Sequence, residues 1–241
     1  MTGVPLVLIP GLMCDGAVWE PLHPALTPYA SCQVIDHGRA SSITVMAQQV
    51  LAAAPPRFAL AGHSMGGRVA LEVLRLAPQR VLRLALLDTG YKARASGPAG
   101  EEEARKRQDL LAVARSQGVR AMARQWVQGM VHPARLNDTT FIDAIVSMFE
   151  RKTADIFDKQ IQALLARPDA TPVLASARMP TLVLCGREDS WAPVSQHEEI
   201  AALIPGKVLL RVVESAGHMS TMEQPGAVAH AMLEWLHQTD P

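Results

Sequence analysis

The sequence predicts an α/β fold: a six-stranded, mainly parallel sheet with helices on both faces and a helical insertion. Three observations carry that reading. Short, continuously apolar runs alternate with segments of helical period, as strands buried on both faces alternate with crossover helices. The stretch 58–77, FALAGHSMGGRVALEVLRLA, joins one such run to one such helix through an abrupt, glycine-flanked turn at Ser64. From Gly90 to about Ala177 the strand signal stops and only helical periods remain.

In chain order, the apolar run 4–9 ends at Pro10-Gly11 and reads as a central strand. A loop with Leu12, Met13 and Cys14 follows, then a short helical segment over 15–26 interrupted by Pro21 and Pro24. The second strand is expected at 32–36, ending in the turn His37-Gly38. Ser41 or Ser42 caps a helix whose apolar face is Ile43, Met46, Ala47, Val50, Leu51 and Ala54, and Pro55-Pro56 stops it. The third strand, 58–61, leads to Ser64 and to a helix with Val69, Ala70, Val73, Leu74, Leu76 and Ala77 on one side. The fourth, 82–87, delivers Asp88 at its C-terminal end.

In the insertion, three apolar stripes recur near helical spacing: Val119, Met122, Trp126, Met130; then Ile142, Ile145, Val146, Phe149; then Ile156, Phe157, Ile161, Leu164, Leu165. Most of these side chains pack on one another, and the Met- and aromatic-rich remainder, Trp126 and Met130 among them, lines an adaptable apolar pocket. The run EEEARKR at 101–107 reads as a solvated helix face with i,i+4 pairing. Strands resume at 181–185 and 208–213. Between them Ser195 and Glu198 read as a capping box, and after them Pro225 opens a final helix, followed by a polar tail at 237–241.

Composition bounds the function. With 241 residues, 49% hydrophobic and 19% charged, the chain can bury a full core. Lysines plus arginines and aspartates plus glutamates balance at 23 each, so no long-range field favours nucleic acid or an anionic membrane. A small neutral or weakly charged ligand is the natural partner, and the oligomeric state is left open. The apolar start MTGVPLVLIPG lacks a basic leader and stops at Pro10, which reads as neither a signal peptide nor a membrane span, so a cytoplasmic protein is expected. Cys14, Cys32 and Cys185 are widely spaced and suit reduced thiols; no metal or cofactor is called for.

The chemistry sits at the turn. Gly62-His63-Ser64-Met65-Gly66 fits G-x-S-x-G, in which a sharp strand-to-helix turn leaves no room for a β-carbon two residues either side of the serine. A serine hydroxyl becomes nucleophilic when an imidazole takes its proton and an acceptor fixes that imidazole's tautomer. Ser64, His218 and Asp189 supply those roles. Both Asp88 and Asp189 follow strands and either could reach His218; Asp189 is preferred because it lies four residues beyond its strand end, and Asp88 is assigned to the amides of the Thr89-Gly90 turn. Met65, just after the nucleophile, offers a backbone N–H to the developing oxyanion, where one donor is worth about 3–4 kcal/mol. His37 and Trp191 are candidates to touch substrate, whereas His63 should point away, and His132, His197 and His230 should be solvated.

Three segments, GHSMGG at 62–67, GREDSWAP at 186–193 and AGHMSTMEQP at 216–225, resemble the nucleophile, acid and histidine segments of the α/β-hydrolase superfamily, in the family's order. The resemblance covers nearly the whole chain. It implies a core of 1–90 and 178–241 with a helical lid at 91–177, and Leu12 as second oxyanion donor with Met13 as the fallback. By that resemblance the chain begins at the family's third strand and is expected to lack the N-terminal antiparallel hairpin, so the sheet order should be 2-1-3-4-5-6, and Ile9-Pro10-Gly11-Leu12 stands where His-Gly is commoner. The expected activity is hydrolysis of a small, largely apolar carboxylic ester through an acyl-Ser64 intermediate. The same triad could instead cleave a carbon–carbon bond or an enol-lactone, or transfer the acyl group, and the contrasting class is a non-catalytic ligand binder on the same fold.

Overall fold

The computed structural model describes residues 3–238. Residues 1–2 and 239–241, the last three of the expected polar tail, lie outside the described residues. Strand β1 (Val4–Ile9) is followed by two short 3-10 turns, helix α1 (His23–Leu26), strand β2 (Ala30–Val34) and helix α2 (Ile43–Ala53). Then come β3 (Phe58–His63), α3 (Met65–Leu76) and β4 (Val81–Leu87). Between β4 and the next strand lie only helices among the described residues: α4 (Pro98–Gln117), α5 (Val119–Trp126), α6 (Thr139–Glu150), α7 (Ala154–Leu165) and α8 (Thr171–Ser176). The chain finishes with β5 (Thr181–Gly186), α9 (Val194–Leu203), β6 (Val208–Val213), α10 (Ser220–Glu223) and α11 (Pro225–Leu236).

All six strands are parallel, in the order β2-β1-β3-β4-β5-β6. β3 and β5 are buried at every residue, which is why their sequences are apolar without alternation. β2 lies two residues earlier than expected because it pairs with β1 from Val4↔Ala30 to Leu8↔Val34, leaving Ile35 and Asp36 in the loop. The packed series α2, α3, α8 and α9 forms one helical layer, and α1 and α11 pack together in another. α9 starts at Val194 with Pro193 at its N-cap and no side-chain cap, so the expected Ser195–Glu198 capping box does not form. Register brings Ile9 beside Gly62, His63 beside Leu87, Leu87 beside Leu184 and Gly186 beside Val213. The loops after β1, β3, β4, β5 and β6 therefore emerge at one edge, where parallel α/β sheets bind ligands.

Candidate active site

Ser64 ends β3 in a conformation that L-residues rarely adopt, φ 55° and ψ −119°. The turn is tight enough that a β-carbon on Gly62 would lie 2.3 Å from the carbonyl oxygen of Gly66, and one on Gly66 would lie 2.2 Å from that of Ile9. Surrounding bonds hold the strained residue: Ser64 N–H donates to Leu87 O (2.9 Å), and Ser64 O accepts from Thr89 Oγ1 (2.6 Å) and from Gly67 N (3.0 Å). The hydroxyl is thus presented at the start of α3 above the sheet edge.

His218 Nε2 lies 2.7 Å from Ser64 Oγ, and its Nδ1 lies 2.7 Å from Asp189 Oδ2. The other carboxylate oxygen, Asp189 Oδ1, accepts from the amides of Trp191 (2.9 Å) and Ala192 (3.0 Å). Burial works against the charge on both groups, but their mutual attraction and hydrogen bond outweigh it: His218 is raised above its ordinary pKa and Asp189 lowered. The arrangement can accept a proton from the hydroxyl and hold the resulting imidazolium beside a carboxylate.

Asp88 is elsewhere engaged. It does not bond the Thr89-Gly90 turn as expected; its Oδ1 accepts from Gly186 N (2.9 Å) and its Oδ2 hydrogen bonds Ser220 Oγ, while Thr89 N–H donates to His197 Nε2 (3.1 Å). His197 is accordingly buried, not solvated. Burial and the nearby Asp189 charge push the Asp88 carboxyl well above the usual carboxylate range. The sequence offered no way to see this, because the partners lie 98 and 132 residues away in the chain.

His63 points toward His218 and braces it: its Nε2–H donates to His218 O at 2.8 Å, and burial followed by the proximity of His218 holds its pKa down to about 3, keeping it neutral. Glu223, which sequence reasoning missed, gathers three backbone amides, Gly217, Met219 and His132, and so fixes the His218 loop against the insertion. His132 is half-buried at that junction, and His230 is exposed. His37 departs from expectation. It is buried, donates from Nε2 to Pro10 O (2.7 Å) and does not line the cavity, so it shapes the loop after β1 from behind.

That loop distinguishes the candidate oxyanion donors. Met13 N–H donates to Gln160 Oε1 of α7 (2.8 Å) and is occupied, whereas the amides of Leu12 and Met65 donate no hydrogen bond among the described residues, and both residues line the cavity. Above them is a cavity of about 710 Å³ containing Ser64 and His218 and walled by Trp126, Met130, Phe149 and Trp191. Trp191 links its two sides, stacking on Trp126 (5.6 Å between centroids, 22° between planes) and tilting against His218 (4.9 Å). The EEEARKR run is only partly a solvated face: Glu102 and Arg105 pair outside, but Glu103, Lys106 and Arg107 line the cavity, Lys106 reaching back to Glu102. Arg120 and Arg124 pair with Glu150 and Asp143 on the insertion's exterior.

The family model that matches residues 6–231 is described as the alpha/beta hydrolase family, and the chain belongs to that family. The chain is 27% identical to a pimeloyl-[acyl-carrier protein] methyl ester esterase of Photobacterium profundum, over 97% of this chain and 95% of that one. It is 31% identical over 98% of its length to the dihydrolipoyllysine-residue acetyltransferase component of an acetoin cleaving system from Pseudomonas putida, but spans only 64% of that protein's length. Among solved structures, a thermophilic esterase from Thermogutta terrifontis superposes with a TM-score of 0.85 at 26% identity, over 98% of this chain and 92% of the other. An enol-lactonase from Burkholderia xenovorans shares the fold, with a TM-score of 0.84 at 22% identity over 99% and 93% of the two chains. No helix among the described residues is long and apolar enough to cross a membrane.

Proposed function

We propose that the chain hydrolyses a small carboxylic ester through an acyl intermediate on Ser64, with His218 as the base and Asp189 as its orienting acid. The observation that carries this reading is the unbroken line Ser64 Oγ, His218, Asp189 with 2.7 Å at each link, opening on a cavity with an apolar wall of Trp126, Met130, Phe149 and Trp191. Ser64 Oγ attacks the ester carbonyl as its proton passes to His218 Nε2. The carbonyl oxygen becomes anionic against the amides of Leu12 and Met65 at the N-terminus of α3. Collapse of the tetrahedral species expels the alcohol, which takes the proton from His218, and a water activated by the same imidazole then hydrolyses the acyl-serine. The esterases among the relatives and neighbours support the bond type.

In this reading residues 91–177 serve as a lid over a core of 1–90 and 178–241, with Trp126 and Met130 facing the acyl group and Trp191 closing the wall beside His218. The test is a panel of chromogenic esters from short to long acyl chains, run beside labelling with a neutral fluorophosphonate. The wild-type chain should label at Ser64 and turn over short to medium acyl esters. A folded wild-type chain that neither labels nor hydrolyses any ester in the panel contradicts the proposal.

A further inference from the structure

One end of the cavity is cationic, although the overall charge of the chain is balanced. Arg68, Arg107 and Arg167 all line it, as do Lys106 and the carboxylates of Glu103 and Asp109. Glu103 is fully committed. Arg167 meets it through a two-pronged contact, Nη1 to Oε1 at 2.7 Å and Nη2 to Oε2 at 2.8 Å, and Arg107 adds Nη2 and Nε contacts to Oε1 at 2.9 and 3.1 Å. Arg68 has no such partner: among the described residues its one hydrogen bond runs from Nη1 to the carbonyl of Lys92 (2.9 Å), and it forms no ion pair. At the outer rim Lys106 pairs with Glu102 and Asp109 with Arg105, so neither carboxylate is free to serve it.

We propose that Arg68, backed by Arg107 and Arg167, is a carboxylate-binding subsite, and that the substrate is an ester carrying a free carboxylate a few bonds from its scissile carbonyl. Arg68 follows Ser64 by four residues, so its Cα lies roughly one helical turn, about 5–6 Å, along α3 from the nucleophile. An attachment role between insertion and core accounts for Arg107 and Arg167 through Glu103, but leaves the half-buried Arg68 guanidinium without a direct ion-pair partner. Burial, then the charges of Arg167 and Arg107, push Arg68 down to about 9, and Arg107 is lowered as well, as expected where three cations share one carboxylate. A carboxylate fits better than a phosphate group because only one guanidinium fork is uncommitted, and Glu103 on Arg167 already displays the planar pairing it would make.

The inference rests on the proposed ester hydrolysis and narrows its substrate class. Its test compares monoanionic esters with their methyl-capped neutral counterparts, placing the free carboxylate on the acyl side in one series and on the alcohol side in another. Wild type should favour one anionic series by about 10–100-fold in kcat/KM, with the advantage shrinking at high salt. Arg68→Met should cut that ratio at least about 10-fold, chiefly through KM, and Arg68→Lys should restore part of it. A ratio unaltered by Arg68→Met in a folded variant, or a preference for the neutral esters, overturns the proposal. Binding of glutarate and of inorganic phosphate, followed by fluorescence of Trp126 and Trp191, separates this failure from failure of the hydrolase reading. Glutarate binding that Arg68→Met abolishes supports the subsite even if no ester is cleaved, whereas tighter binding of phosphate overturns the choice of carboxylate.

Discussion

The two sides of the cavity are built on different principles. On the strand-end side, Ser64, His218 and Asp189 are each held by hydrogen bonds made within and between short loops of one sheet edge. On the insertion side, Glu103, Arg107 and Arg167 hold one another across a helical layer, and Arg68 on α3 forms no direct ion pair among the described residues. The first side is electrostatically closed before substrate arrives. The second carries surplus positive charge. Under the proposed function, the sheet edge would do the bond chemistry and the insertion would set the choice of substrate.

The largest expected effect breaks the strand-end side. Ser64→Ala should leave the fold intact, since it removes one oxygen that faces the cavity and costs His218 Nε2 a single hydrogen bond, and should lower kcat by about 10⁴-fold or more, read with any ester wild type cleaves. Next is a contrast between two carboxylates. Asp189→Asn should lower kcat by up to about 10⁴-fold through loss of tautomer control, whereas Asp88→Asn, whose partners are Gly186 N and Ser220, should mainly lower the melting temperature. The reverse ranking, with folded fractions checked, moves the acid to Asp88.

A smaller effect probes the strut between the sides. Gln160→Ala removes the acceptor for Met13 N–H and should loosen the loop carrying Leu12, lowering kcat by about 10-fold while fluorophosphonate labelling still occurs. The pH profile sharpens the same comparison. His218 must be neutral to accept the proton, and its pKa is raised above the ordinary 6.5, so kcat/KM should rise with pH through an apparent pKa above that value, not at or below it. A rate flat from about pH 5 to 9 excludes a histidine base. The smallest effect lies on the insertion side. Burial opposes the Glu103 charge, but Arg167 and Arg107 hold it down to about 2 against an ordinary 4.5. Its contribution to stability is therefore present above 4.5 and lost as pH falls toward about 2, and Glu103→Gln should flatten that part of a stability-versus-pH curve.

Legibility in the sequence follows the same division. Ser64, His218 and Asp189 could be read because a strained turn and two post-strand loops leave local marks: glycines at fixed offsets, and polar residues just after apolar runs. Four of the six strand ends were read to within a residue, whereas β2 slid because its limits are set by pairing with β1, which no local pattern encodes. His37 and Asp88 were misassigned for a related reason: a buried polar group takes whatever partner the fold brings, here Pro10 O for one and Gly186 N and Ser220 for the other. The arginine cluster was invisible as a cluster, since Glu103 and Arg167 are 64 residues apart. Arg68 alone left a signal, its position one turn after Ser64 on the helix that starts at the nucleophile.

The central claim is that Ser64 carries the acyl group, with His218 and Asp189 behind it. The most direct measurement is acid quench during turnover of a slow chromogenic ester, followed by peptide mass mapping. An acyl adduct on the peptide containing Ser64, absent from Ser64→Ala and accumulating with the initial burst of product in wild type, is the expected result. A burst with the adduct on another residue, or turnover by Ser64→Ala at the wild-type rate, contradicts the account.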